Sequence, residues 1–384
     1  MGRGRGAAGH CGAAFRGLAW KAGLGQEDGV ALSPGIRMRR TLPPLPVAVF
    51  AVVALAPLPL LVAGLVQGGW LALAGLGYMT VLVMLIDQVV PLASADAPEG
   101  AEFPAGDALL VLLGGLHLAA LPLAVWLIAG PGGLALWERL ALFLGFGLWF
   151  GQVSVPAAHE LIHRRGRGLF GLGVAVYVSL LFGHHASAHR LVHHRHVGSA
   201  ADPNTARAGE GFYRFALRAW SGSFRAGWLA ERALRPGRRI KPYTVYVLGA
   251  AGMLGLAFVL AGWVGVAVWA GLAVHAQLQL LLSDYVQHYG LSRARRTDGR
   301  LEPVGPRHSW NARAWFSSAL MLNAPRHSDH HAHPARPYPA LRLPAPEAAP
   351  MLPWPLPLAC SIALVPPLWK ALMRPHLAAW RTEA

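Results

Sequence analysis

The sequence has few cysteines. Its 384 residues include only Cys11 and Cys360, which are far apart and form no Cys-x-x-Cys pair. This excludes a thiolate iron–sulfur or rubredoxin-type centre within the chain. Any electrons that a redox site here requires are therefore expected from another protein or a diffusible donor.

Charged residues are also scarce, at 14% of the chain, whereas soluble domains usually contain about 25%. Apolar residues make up 54%, and the mean hydropathy is +0.39. This composition predicts an integral membrane protein. Lysine and arginine outnumber aspartate and glutamate by 34 to 18. Because the arginines lie between apolar segments, we assign them to loops that face anionic lipid and expect no nucleic-acid partner.

The chain divides by pattern into three parts. Residues 1–40 form a poorly patterned N-terminal arm, 41–345 an all-α membrane catalytic domain, and 346–384 a proline-rich, interfacial C-terminal segment. About 20 apolar residues are needed to span a bilayer. Six transmembrane helices are predicted, at 45–66, 70–92, 107–129, 134–156 and, as a two-span hairpin broken at Gly262-Trp263, 244–283.

Arginines assign the loops to sides of the membrane. Arg37, Arg39 and Arg40 place the N-terminus inside, and span counting puts the arginines at 164–167 and 293–300 on the same side. All four histidine clusters then face the cytoplasm, in a multi-pass protein of the bacterial inner membrane. Residues 169–183 are apolar, but a crossing there would separate two of the clusters. We interpret them as a re-entrant or interfacial helix.

Nine histidines occur in four clusters, HELIH, HRLVHH, QHYG and RHSDHH. Histidine is the commonest metal ligand, and nine are too many for one ion, so a di-metal site is predicted. Nitrogen ligands without nearby thiols suit iron, copper, nickel or zinc. The candidate ligands are His159, His163, His189, His193, His194, His288, His327, His330 and His331.

The spacing within clusters suggests how ions are shared. Residues four apart lie on one helix face, so a helix can offer His189 and His193 to one ion and His194, turned by about 100°, to a neighbouring ion, while the pattern leaves open which histidine binds which ion. The three histidines of the fourth cluster, at 327, 330 and 331, have a similar spacing. HELIH alone is also the zinc metalloprotease signature, with Glu160 as general base.

Acidic residues and the other histidines receive supporting roles. Glu160 and Asp329 are expected to accept the second N–H of a metal-bound imidazole. Asp87, within a span, either serves the site or pairs with a neighbouring helix. Nine histidines are interpreted as structural: His10, His117, His184, His185, His196, His275, His308, His333 and His376.

The ordered motifs HELIHR, HRLVHH followed by DPNTAR, QHYGL, HSWN and RHSDHHAHPARPYPALR resemble those of the membrane alkane 1-monooxygenases and xylene monooxygenases, in the wider fatty acid desaturase/hydroxylase superfamily. The resemblance implies a six-helix fold with a cytoplasmic-facing diiron site. It also implies the nine ligands named above, two iron ions, O₂ as co-substrate, and electrons from a rubredoxin or ferredoxin with its NAD(P)H-dependent reductase. The implied reaction is hydroxylation of an unactivated C–H bond in a hydrocarbon from the bilayer.

The sequence departs from the alkane enzymes at Ala188, Val192 and Gln287, and the last change is more typical of the xylene branch. Three alternatives stay open at this point. They are a fatty acyl or other lipid desaturase or hydroxylase of the same superfamily, an intramembrane zinc metalloprotease, and a metal transporter.

Overall fold

A computed structural model describes residues 41–237 and 241–382 of the protein, with side chains through Trp380. The predicted arm, residues 1–40, lies outside the described residues, as do the arginines at 37–40 and His10. The described residues belong to one compact unit, Thr41–Ala384. The division at residue 345 stays a prediction.

The fold is helical, as predicted. The two strands of the described residues, Thr41–Leu42 and Ala93–Ser94, have two residues each and pair in parallel. The α-helices are Val47–Leu55, Pro57–Gln67, Leu71–Gly77, Val83–Val89, Pro104–Ala129, Leu136–Trp149, Val155–Ile162, Arg167–Ser179, His185–Ala188, His194–His196, Phe212–Leu234, Pro242–His288, Trp315–Leu320, His327–Ala332, Leu356–Ala363 and Pro366–Thr382. Three π-helical turns, Tyr78–Leu82, Phe150–Ser154 and His189–His193, and two 3₁₀ turns, Pro306–His308 and Tyr338–Ala340, complete the order.

Five helical segments of the described chain are long and apolar enough to cross a membrane: Val47–Gln67, Leu71–Val89, Pro104–Ala129, Leu136–Ile162 and Pro242–His288. The last has 47 residues and contains non-helical backbone at Ala261 and Gly262. A Cβ at Gly265 would overlap the carbonyl of Ala257, which requires the chain to fold back there. The segment is therefore the predicted hairpin of two helices, and the six predicted spans are all present.

Gly262 makes this reversal possible. Its φ of +59° and ψ of −150° lie in a region that is accessible to glycine and strained for other residues. Both arms of the hairpin then pack on one short helix, Arg167–Ser179. Gly249 lies against Val178, and the indole of Trp269 donates to the carbonyl of Ser179 at 2.8 Å.

That short helix, Arg167–Ser179, has 13 residues and is about 20 Å long, too short to span a bilayer. The interpretation of 169–183 as non-crossing agrees with this length. At the C-terminus, Leu356–Ala363 and Pro366–Thr382 are also absent from the candidate spans of the described chain. Trp369 and Met373 of the second are fully buried.

An amphipathic helix, Phe212–Leu234, is an element that the sequence analysis left unassigned. One face is buried through residues such as Phe215 and Ala219, while Leu217 and Trp220 on the neighbouring face are exposed. Arginines 214, 218, 225 and 232 occupy the remaining face. An exposed apolar stripe beside a basic one is typical of a helix that lies in the membrane interface.

Candidate metal centre

Four pieces of chain position the nine candidate ligands. His159 lies in the last turns of the fourth span, and His163 is the residue that ends that helix. His189 and His193 belong to a π-helical turn, which continues into His194. His288 ends the hairpin, and the trio 327, 330 and 331 lies on one short helix, His327–Ala332.

A local interruption of the fourth span affects the direction from which His159 and His163 approach the site. The π turn Phe150–Ser154 is separated from Pro156 by Val155 alone. Proline has no N–H to donate to the carbonyl four residues earlier, so the regular helical bonding is interrupted there. The interruption rotates the following turns and contributes to the direction in which His159 and His163 project.

The structure brings all nine histidines together in two groups. Within each group, one nitrogen per residue lies within 4.8 Å of all the others. The first group, with five members, is His159, His163, His189, His194 and His330; the second, with four, is His193, His288, His327 and His331.

Neighbouring nitrogens are separated by distances typical of ligands on a shared ion. In the first group, the Nε2 atoms of His159 and His189 are 2.7 Å apart, and those of His189 and His194 are 2.9 Å apart. In the second, His327 Nε2 lies 3.0 Å from His288 Nε2 and 3.1 Å from His331 Nε2. Adjacent ligands with metal–nitrogen bonds of about 2.1 Å are roughly 3 Å apart.

Hydrogen bonding among the rings does not account for this arrangement. Each Nε2 carries either one proton or one lone pair, yet His189 Nε2 faces the Nε2 atoms of both His159 and His194. His163 Nε2 and His193 Nε2 are buried without a hydrogen-bond partner in the part of the chain that the structure describes. Metal ions that accept all of these lone pairs remove the conflict, so the donor set fits a pair of ions.

Burial favours the neutral, metal-binding form of most of these rings. Desolvation, followed by repulsion from neighbouring histidines, holds the pKa values of His189, His330 and His331 well below the usual range. His193 differs. Burial lowers its pKa, but the charge and hydrogen bond of Asp202 outweigh burial, and the pKa is raised.

The structure shows how the second cluster is divided, which the spacing left open. His189 does not group with His193, four residues on, but with His194, and His193 belongs to the other group. The reason is the π turn, in which residues five apart rather than four are bonded neighbours. In the α-helix His327–Ala332, residues four apart do share a group, because His327 groups with His331 and His330 joins the other.

Asp202 is a residue of the site whose role the sequence analysis did not assign. Its Oδ2 lies 2.8 Å from His193 Nδ1, on the side of the ring opposite to the ligand nitrogen. Asp202 also accepts from the backbone N–H of Asn204 and the hydroxyl of Thr205. Its position in DPNT, directly after the second cluster, was the available signal.

Glu160 and Asp329 have other partners in the structure. Glu160 Oε2 accepts from Arg164 and from the backbone N–H of Tyr338. Asp329 bonds His333, Arg336 and the backbone N–H of Arg342. Both carboxylates thus anchor the chain that follows the last cluster, and a role beside a metal-bound ring stays a prediction for them.

Most histidines interpreted as structural have ordinary partners. His117 Nε2 is 2.8 Å from the Ser179 hydroxyl, and His308 bonds Glu302 and the backbone of Gly305. Asp87 accepts from the backbone N–H of Ser317 at the start of Trp315–Leu320, which agrees with pairing to a neighbouring helix. The Nδ1 atoms of His117 and His275 are both buried with no hydrogen-bond partner among the described residues.

A largely apolar cavity of about 630 Å³ opens onto the centre. His159, His189, His327 and His330 form part of its wall. The rest comes from the spans, from the start of the amphipathic helix and from the C-terminal helix Leu356–Ala363. Its size and lining are those of a small-molecule site, so an apolar ligand that fills it reaches both histidine groups.

Comparison with known proteins places this arrangement in a family. Residues 131–360 match the family described as Fatty acid desaturase. The chain is 30% identical over 313 residues to Alkane 1-monooxygenase 2 of Pseudomonas aeruginosa, a match that covers 78% of this chain and 82% of the relative. The chain belongs to the fatty acid desaturase family.

Other relatives show which members of the family this chain resembles. An alkane 1-monooxygenase of Pseudomonas putida is 32% identical over 272 residues, which cover 69% of this chain and 66% of the relative. The xylene/toluene monooxygenase hydroxylase component of Pseudomonas putida is 28% identical over 240 residues, 60% of this chain and 62% of that protein. The resemblance expected from the motifs is confirmed, and these relatives support an oxidoreductase that hydroxylates hydrocarbons.

Proposed function

We propose that the protein is a diiron membrane monooxygenase that hydroxylates the terminal methyl group of a hydrophobic hydrocarbon, such as an n-alkane or an alkyl-aromatic compound. The observation that carries the proposal is the convergence of two histidine groups on one wall of an apolar cavity. The names of the relatives support the same reaction. The metalloprotease alternative leaves unused the three histidines that group with His159 and His163.

The nine histidines of the two groups are the proposed ligands, five for one ion and four for the other. Iron supplies the activation of O₂ and the oxidation of the C–H bond. In the overall reaction, one oxygen atom enters the substrate as a hydroxyl group and the other leaves as water, with two electrons and two protons consumed. Imidazole ligands are compatible with iron, copper, nickel and zinc, so the identity of the metal is part of the proposal.

The surrounding residues bind and orient. Apolar side chains of the cavity, such as Leu148 and Leu282, hold the hydrocarbon chain and exclude water from its reacting end. Asp202 fixes the ring of His193 through its Nδ1. Glu160, which accepts a hydrogen bond from Arg164, also accepts one from the backbone N–H of Tyr338. This contact fixes the segment that follows the last histidine cluster to the end of the fourth span.

Electrons are proposed to come from a separate rubredoxin or ferredoxin with its NAD(P)H-dependent reductase, since the two cysteines of the chain cannot form such a centre. We place the site on the cytoplasmic face of the inner membrane. A cysteine introduced at exposed Asp298, in a chain whose two cysteines are replaced by serine, tests the orientation. A membrane-impermeant thiol reagent should label it in inverted vesicles but not in intact spheroplasts.

The direct test combines metal content with product analysis. The purified protein should contain about two irons per chain and, with a donor system, convert n-octane or p-xylene to the primary alcohol. His330→Ala and His193→Ala, one from each group, should each lower iron content and abolish turnover. His308→Ala, a buried histidine outside both groups, is the matched control for loss of an imidazole.

Two results would redirect the proposal. A single zinc ion that survives His330→Ala would contradict the diiron assignment. An iron enzyme that yields an alkene from an acyl substrate, and no alcohol from hydrocarbons, would instead assign a desaturase of the same family.

A further inference from the structure

Polar side chains lie in the cavity at a distance from the histidine groups. Gln152, His275 and Gln279 line it from the fourth span and the second arm of the hairpin. Gln152 Nε2 is 3.3 Å from Gln279 Oε1, and Gln279 Nε2 donates to the carbonyl of Gly147 at 2.8 Å. We call these three residues the polar cluster. Inside a bilayer such groups are costly and are functional candidates.

Two glycines make room for the cluster. A Cβ at Gly147 would overlap the ring of His275, and one at Gly151 would overlap the amide of Gln279. Gly147 and Gly151 are four residues apart on one helix, as His275 and Gln279 are on the other, so each pair shares a face. The two helix faces are complementary, and they hold the polar side chains at a fixed position.

The cluster has unused hydrogen-bonding capacity. Gln152 Oε1 and His275 Nδ1 are buried and have no partner among the described residues. Gln279, by contrast, bonds on both sides. Buried polar atoms are almost always paired, so each exception requires an explanation. The amide oxygen of Gln152 can accept from a hydroxyl group, whereas His275 Nδ1 lies against Gly147 and contributes through its packing.

From these features we infer that the polar cluster is a second binding subsite, which takes an uncharged hydroxyl group at one end of the substrate while the methyl group at the other end lies at the histidines. The preferred substrate class is then a chain alcohol, oxidised at its far methyl to a diol. The inference rests on the proposed function and names its substrate more closely. An ionised end group is excluded by the same desolvation cost.

Helix geometry sets the length of such a substrate. Gln152 precedes His159 by seven residues, or about 10 Å, and His275 precedes His288 by thirteen, or about 20 Å, at 1.5 Å per residue. An extended chain advances roughly 1.2 Å per bond. The subsite and the centre are therefore bridged by a chain on the order of ten carbons.

The test uses two probes of equal heavy-atom count, n-dodecane and 1-undecanol, turned over by the complete enzyme with its donor system. With the hydroxyl held at the cluster, 1-undecanol should give mainly the α,ω-diol, with little undecanal from oxidation at the carbinol end. Its kcat/KM should exceed that of n-dodecane about tenfold, as expected for one hydrogen bond. The double variant Gln152→Leu/His275→Leu should lose this preference and shift the product from diol to aldehyde.

The ratio of diol to aldehyde does not depend on how much enzyme folds, so it stays informative if the double variant is poorly stable. Thr80→Val is the matched control. Thr80 also lines the cavity, but its hydroxyl donates to the carbonyl of Leu76 in its own helix at 2.6 Å. Its product ratio should stay within twofold of that of the wild type.

The outcomes separate the two proposals. Turnover of both probes without preference, with the same product ratio in wild type and double variant, would overturn the subsite and leave the hydroxylase intact. Failure to oxidise either probe with iron bound would instead contradict the proposed function.

Discussion

At the scale of single residues, the metal centre depends on which nitrogen of each ring is held and by what. His193 is the clearest case, because Asp202 bonds its Nδ1 and leaves Nε2 free toward the second group. His288 has a longer contact of the same kind, since its Nδ1 lies 3.4 Å from the backbone carbonyl of His308. Such partners fix the orientation of a ring before an ion binds.

Replacing Asp202 with asparagine should therefore weaken metal binding without removing a ligand. Loss of a carboxylate that supports a ligating imidazole typically costs 10- to 100-fold in metal affinity, and we expect about tenfold here. The measurement is iron retained against increasing chelator. Asp298→Asn, at an exposed turn, should retain iron as the wild type does. Equal retention by both variants would show that Asp202 does not support the site.

Gly147 is a second decisive residue, because a side chain there would overlap the His275 ring. Gly147→Ala should destabilise the protein by about 1–3 kcal/mol through overpacking, measured as thermal unfolding in detergent. Gly115→Ala is the control, since a Cβ there meets nothing within 4 Å. It should be neutral or slightly stabilising. Combination of Gly147→Ala with His275→Ala should recover most of the lost stability. If it does not, the overlap with the His275 ring is not the cause of the destabilisation.

At the scale of elements, the amphipathic helix Phe212–Leu234 connects the membrane surface to the cavity. Tyr213 and Leu217 line the cavity and are also exposed, at 58% and 74%. The hydroxyl of Tyr213 donates to the carbonyl of Leu364 at 2.9 Å, which links the helix to the C-terminal segment. A hydrocarbon that leaves the bilayer at this level meets the cavity directly.

This position can be tested with an environment-sensitive fluorophore on single cysteines in a chain that lacks Cys11 and Cys360. A label at Leu217→Cys should shift to shorter wavelength when the protein enters lipid vesicles, because that face contacts the apolar layer. A label at Arg225→Cys, on the basic face, should change little. Identical spectra at the two positions would mean that the helix does not lie in the interface.

At the scale of the whole molecule, the two histidine groups join segments that are distant in the chain. The first group connects the fourth span, the π turn at 189–193 and the helix His327–Ala332; the second adds the end of the hairpin. Ions bound there hold four parts of the fold together. Metal binding therefore contributes to stability by mass action.

Removal of metal should accordingly lower the thermal stability of the protein. A site exposed to free ion at 100 times its Kd adds about 2.7 kcal/mol. Chelation should reduce the unfolding temperature in detergent, and iron(II) should restore it. His331→Ala should diminish this metal-dependent shift, whereas His196→Ala, at an exposed histidine, should preserve it. A stability that does not respond to chelation would mean that the groups are held by packing alone.

Much of the fold could be read from the sequence because membrane spans are set by local composition. The apolar segments and the break at Gly262 follow from run length, charge and glycine chemistry. The non-crossing interpretation of 169–183 followed instead from the need to keep the histidine clusters on one side of the membrane. The division of the histidines into groups could not be read from spacing, because periodicity assumes an α-helix and does not indicate where a π turn replaces it, as at His189–His193. Asp202 was missed as a partner because its position after the second cluster indicates that it is near the site but not which ring it contacts.

Composition and motifs indicate the class of site: nine imidazoles in four clusters, few thiols and a chain apolar enough for a membrane predict a histidine-bound metal centre at a membrane surface. Tertiary structure decided how the nine divide between two groups, which carboxylate supports a ring, and that a cavity reaches both groups. These depend on contacts between residues far apart in the chain, such as Gln152 with Gln279 and His159 with His189. Local pattern carries no information about such contacts, because they are fixed only when the helices pack.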